Sequence, residues 1–72
     1  MDYEAIGRKL RELRIERNLT QAVVAEKLDY SPAQVCRIER GHKGSNVANL
    51  DVLERYAEYY GISVIEIIRA GL

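Results

Sequence analysis

An all-α chain of five short helices is the fold class this sequence predicts, and three observations carry it. Apolar residues recur at three- and four-residue spacings between turn residues. A side chain able to cap a helix, namely Asp2, Thr20, Ser31, Asn49 or Ser63, stands before each periodic run. No segment alternates with period two between turn signals, so no strand is expected.

The first helix follows Asp2 and places Ile6, Leu10 and Leu13 on one face, stopping near Asn18. Asparagine tolerates the left-handed conformation that often ends a helix. Thr20 then caps a second helix, Gln21 to Leu28, with Val24, Ala25 and Leu28 inward. Asp29 falls where a tight turn wants positive φ. Ser31 opens the third helix: Pro32 suits the first helical position, where its missing N–H is no loss, and Gln34 completes a Ser-x-x-Gln capping box. Val35 and Ile38 face inward, and Gly41 closes it. After the loop "GHKGSNVAN", Asn49 caps a fourth helix with Leu50, Leu53, Ala57 and Tyr60 on its stripe, ended by Gly61. Ser63 and Glu66 read as a second capping box, opening a fifth helix to about Arg69.

The chain has 72 residues, 47% of them hydrophobic, which describes one domain spanning residues 1–72. So short a chain buries only roughly 60% of its unfolded surface. Its core is therefore thin, and a partner subunit would extend it. Acidic and basic residues number 11 each, so net charge points to no partner class. Residues 1–43 lean basic and residues 44–72 acidic. One cysteine, Cys36, excludes an internal disulfide; with one histidine, His42, no metal-ligand cluster can form. No metal, cofactor or small-molecule ligand is expected. No apolar run approaches the roughly 20 residues of a membrane span, and the N-terminus lacks the apolar segment of a signal peptide. A cytoplasmic location without membrane association is the expectation.

An eight-residue helix, a short turn "DYS" and a second short helix, with Val24, Ala25, Leu28, Tyr30, Val35 and Ile38 inward, form a helix-turn-helix pattern over about residues 20–40. Where two helices cross closely, the first can present only a small side chain, and Ala25 supplies it. In such motifs the second helix lies in a DNA major groove with its N-terminal residues at base edges.

The blocks "IGRKLRELRIERNLTQ", "VAEKLDYS", "RIERG" and "YGIS", in this order and spacing, resemble the Cro and lambda-repressor-like (XRE-type) DNA-binding domains from about Ile6 to Ile68. The resemblance implies a five-helix lambda-repressor-like domain and double-stranded DNA as partner. It implies phosphate contacts from Thr20, Gln21, Arg40, His42 and Lys43, and a groove-facing surface of Pro32, Ala33, Gln34 and Arg37. Pro32 donates nothing and Ala33 offers only a methyl, so base reading would lean on Arg37, with Gln34 second. Arg14 and Glu39 match an ion pair tying the first helix to the third. The family's glycines are replaced by Asp29 and Asn18, and the loop from His42 to Ala48 is longer than in many members.

The remaining residues have plainer readings. Arg8, Lys9, Arg11 and Arg17 interleave with Glu4, Glu12 and Glu16; most of them read as an ordinary solvated helix face, with one of the four a candidate for a phosphate contact. Cys36 reads as a small filler, and no arrangement of nucleophile, base and acid suggests an enzyme. The last helix, about 63–70, carries more apolar positions than one small core absorbs. By resemblance, Tyr59, Val64, Ile65, Ile67 and Ile68 would form a two-fold interface. The expectation is a homodimeric transcriptional regulator on a two-fold operator, of the phage-repressor, restriction-modification controller or antitoxin kind. A module that docks a protein through its last helix is the alternative.

Overall fold

The computed structural model describes residues 1–42 and 49–72; the expectations for the loop at 43–48, Lys43 included, lie outside the described residues. Among the described residues five helices follow one another: α1 (Tyr3–Glu16), α2 (Gln21–Leu28), α3 (Pro32–Arg40), α4 (Leu50–Tyr60) and α5 (Val64–Arg69). Each begins at a side-chain cap that satisfies a backbone N–H left over at a helix start. Asp2 accepts from Ala5 N at 3.0 Å, Thr20 from Val23 N at 3.2 Å, and Asn49 from Val52 N at 2.9 Å. The box at Ser31 is reciprocal: its hydroxyl accepts from Gln34 N at 3.1 Å, while Gln34 Oε1 accepts from Ser31 N at 3.4 Å.

Two local expectations are corrected. Ser63 forms no capping box with Glu66; its hydroxyl takes the earlier N–H of Ile65 at 3.2 Å, and Glu66 N donates instead to the Ser63 carbonyl. The buried stripe of α4 runs through Val52, Leu53, Tyr56, Ala57 and Tyr60, leaving Leu50 at 56% exposure. Leu50 is the first residue of α4, and the helix meets the core only from Val52 onward.

Helix ends use left-handed residues, as the spacing of glycine, asparagine and aspartate anticipates. Gly41 and Gly61 adopt φ of 73° and 69°, and Asn18 and Asp29 take φ of 56° and 61° without being glycine. A left-handed L-residue costs roughly 1–2 kcal/mol, less where a short polar side chain bonds locally.

The core gathers Ile6, Leu10 and Leu13 from α1, Val24, Ala25 and Leu28 from α2, and Val35 and Ile38 from α3 against the α4 stripe and Ile67 of α5. Tyr30, expected inside, is half-buried at the edge of this core. α1 crosses α3 with its backbone almost touching. A Cβ on Gly7 would fall within 2.7 Å of the Glu39 carbonyl carbon and the Ile38 oxygen. Asp2 N donates to the Gly71 carbonyl at 2.7 Å, joining the start of α1 to the segment after α5. No described helix is long and apolar enough to cross a membrane.

Candidate nucleic-acid interface

The turn between α2 and α3 is closed by backbone bonds. Tyr30 N donates to the Ala25 carbonyl at 2.8 Å and Asp29 N to that of Glu26 at 3.3 Å, with Asp29 left-handed between them. Ala25 is 1% exposed, as a close helix crossing requires.

Glu39 is the one charged residue in the described core, 6% exposed, and it is fully engaged. Arg14 grips it with two bonds, Nε to Oε2 at 2.7 Å and Nη2 to Oε1 at 3.0 Å. Arg14 Nη1 donates to the Leu19 carbonyl at 2.8 Å, and Gln21 Nε2 reaches Glu39 Oε1 at 3.2 Å. The hydrogen bond with Glu39 raises the Arg14 pKa above its ordinary value, against the opposing effect of burial. One carboxylate thus joins α1, the α1–α2 turn, the start of α2 and the end of α3. Charge-assisted, two-point pairs of this kind fix geometry as well as energy. They also neutralise an acid that would otherwise face any bound anion.

On the outward side of α3, Ala33, Arg37 and Arg40 are exposed, with Cys36 half-buried beside them. These positions, at i, i+4, i+7 and i+3, form one stripe. Pro32 is exposed at its start. Among the described residues neither Arg37 nor Arg40 enters an ion pair. Gln34 is half-buried, and its side-chain oxygen is committed to the Ser31 cap. Thr20 is exposed; its oxygen accepts from Val23 N, which leaves the hydroxyl proton free for an outside acceptor. Gln21 presents the start of α2 with its amide held by Glu39. His42 is exposed just past the end of α3, its N–H bonded to the Arg37 carbonyl at 3.1 Å.

The basic residues of α1 are not all plainly solvated. Arg17 is tied down, donating to the Leu13 carbonyl at 2.9 Å and the Tyr60 carbonyl at 3.0 Å, with its guanidinium 4.9 Å from the Tyr60 ring centre. Arg8 and Arg11 line a cleft between α1 and α3 together with Glu4, Gln21, Cys36, Glu39 and Arg40. The available signal was their place about two turns and one turn ahead of Arg14 on the same helix.

The apolar surface of α5 is smaller than expected. Ile65 is 55% exposed, and Val64, Ile68 and Tyr59 are half-buried. Ile67 is fully buried and packs in the core of the same chain, so it leaves the expected interface set.

Comparison with known proteins adds a family. The helix-turn-helix domain model matches residues 5–67. The chain belongs to the Cro and lambda-repressor-like helix-turn-helix family. Among solved structures it is similar to the crystal structure of the clp gene regulator ClgR from C. glutamicum, with 27% identity and a TM-score of 0.82. That match covers 99% of this chain and 88% of the ClgR chain. No curated protein sequence matches it. In this helix-turn-helix domain α2 and α3 are the paired helices, and the Arg14–Glu39 pair locks α1 onto them.

Proposed function

We propose that the protein is a sequence-specific, double-stranded DNA-binding transcriptional regulator that works as a homodimer on a two-fold operator, with α3 in the major groove. The observation that carries this reading is the outward stripe of α3. It holds two arginines, Arg37 and Arg40, that enter no ion pair among the described residues, while the neighbouring acid, Glu39, is turned inward and neutralised by Arg14. Family membership and the likeness to a gene regulator support it.

Arg37 is the principal base reader, since arginine pairs with two acceptors on a guanine edge. Pro32 and Ala33 add van der Waals contact, for instance with a thymine methyl, and Gln34 adds only what its capping role leaves over. Thr20, Gln21, Arg40 and His42 meet phosphates, the first two aided by the partial positive charge of the α2 N-terminus. Lys43, outside the described residues, belongs to the same set. Ile65 with Tyr59, Val64 and Ile68 forms the two-fold contact. A cytoplasmic repressor or restriction-modification type of controller fits this design.

Loss of Arg37 tests the assignment. Arg37→Ala weakens binding to a preferred duplex by roughly 10- to 100-fold, the worth of one two-point base contact, while binding to unrelated duplex changes little. Fluorescence anisotropy on both duplexes reads this. Equal affinity of parent and variant for the preferred site would remove Arg37 from base reading. Exposed Pro32 and Ala33 favour a second reading, a protein-docking or antitoxin module with few base readers; under it no duplex is preferred over another.

A further inference from the structure

We propose that the cleft between α1 and α3 is a second phosphate grip, in which Arg8 and Arg11 of α1 act with Arg40 of α3 on the DNA strand flanking the groove. The proposal rests on the DNA-binding reading above and adds α1 to the interface.

Four features of the cleft support it. Three guanidinium groups, from Arg8, Arg11 and Arg40, line one depression, and among the described residues none of them enters an ion pair. Of its two acids, Glu39 is already neutralised by Arg14 at 2.7 Å, so Glu4 alone opposes an incoming anion. Gln21 opens onto the same depression, placing the start of α2 beside it. Finally, Cys36 and Arg40 belong both to the cleft and to the outward stripe of α3. The cleft therefore borders the recognition surface directly. A helix seated in a major groove has a phosphate row along each side, and phosphate contacts fix its register and orientation. Arginine is suited to this contact because its planar fork matches phosphate oxygens.

The occupant is a duplex phosphate backbone, a polyanion that crosses the cleft as it follows the groove edge. An isolated anion would gain little from so open a site. The three arginines give a mechanism by which a chain of zero net charge holds DNA: they converge on one cleft in which Glu39 is neutralised by Arg14 and Glu4 is the remaining acid.

Salt dependence reads the number of phosphates engaged. In a titration of a labelled mixed-sequence duplex, log Kd against log salt concentration loses roughly 0.9 of slope for each phosphate contact removed. The double variant Arg8→Gln/Arg11→Gln is therefore expected to lose about 1–2 of slope, with its preference among duplex sequences intact. Arg69→Gln, an exposed arginine on α5, is expected to leave the slope at the parent value. Cys36 supplies a second readout: duplex DNA slows its alkylation by N-ethylmaleimide in the parent and protects it less in the double variant. Circular dichroism confirms that the variants remain helical, as substitution on one exposed helix face allows. A parent-like slope in the double variant, or an equal loss in Arg69→Gln, overturns the grip while leaving the DNA reading standing. Failure of the parent to bind any duplex overturns both.

Discussion

Tyr56 and Tyr60 carry a strict consequence for pH. Both rings are buried, at 0% and 6% exposure, and among the described residues neither hydroxyl has a hydrogen-bond partner. Burial pushes the Tyr60 hydroxyl up to about 12 and Tyr56 higher still, because the charged phenolate would lose its water. Unfolded tyrosine ionises near pH 10. The folded state thus binds more protons than the unfolded one above that pH. Stability is full below about pH 10 and falls as pH rises from there, by roughly 1.4 kcal/mol per pH unit for each tyrosine until its folded-state pKa is passed, which for Tyr60 is about 12. An alkaline titration following tyrosinate absorbance and helical circular dichroism together checks this. Of the five tyrosines, Tyr56 and Tyr60 are expected to ionise only as the helices are lost. Ionisation of all five near pH 10 with the helices intact would contradict it. Single residues were unevenly legible in the sequence. Glu39 and Arg14 stood out through the family pattern, whereas Arg17 looked like any solvated charge, because its acceptor, the Tyr60 carbonyl, lies far along the chain.

Helix boundaries were legible because caps are local: an acceptor side chain and the N–H it satisfies lie within three residues of one another. Asp2, Thr20, Ser31 and Asn49 all cap where the spacing put them. Stripes were less legible, since which side of a helix meets the core is decided by its neighbours. Leu50 and Val52 exchanged places for this reason, and Ile67 moved from surface to core. Least legible was the contact of α1 with α3 through Gly7. In sequence, that glycine is only a weak point in a helix, worth about 1 kcal/mol against alanine. In the structure it is the point where two backbones meet. Gly7→Ala therefore destabilises despite its better helix propensity. Overpacking against backbone costs about 1–3 kcal/mol or more, and the displaced α1 also strains the Arg14–Glu39 pair. A thermal melt is expected to show a fall of roughly 5–15 °C for a domain of this size. An unchanged or raised midpoint would mean that α1 and α3 do not pack as described.

At the scale of the whole molecule, a thin core, an ion pair beneath the recognition helix and a modest apolar face on α5 divide the work. The core and the Arg14–Glu39 pair hold α2 and α3 at a fixed angle. Under the proposed function the α3 stripe and the α1–α3 cleft face DNA, and Ile65 marks the surface for a second copy. The four sequence blocks announced the fold, because their order and spacing are those of a helix-turn-helix domain. Which basic residues of α1 border α3 was not legible, as Arg8, Arg11, Cys36 and Arg40 converge only after α1 folds across α3. The central claim, a dimer reading a two-fold site through α3, is tested most directly by selecting random duplex DNA on the purified protein at moderate salt and sequencing what is retained. Enrichment of an inverted repeat is the predicted result, with half-site centres about one helical turn, roughly 34 Å, apart. Retention of duplexes with no shared sequence, or of none at all, would contradict it.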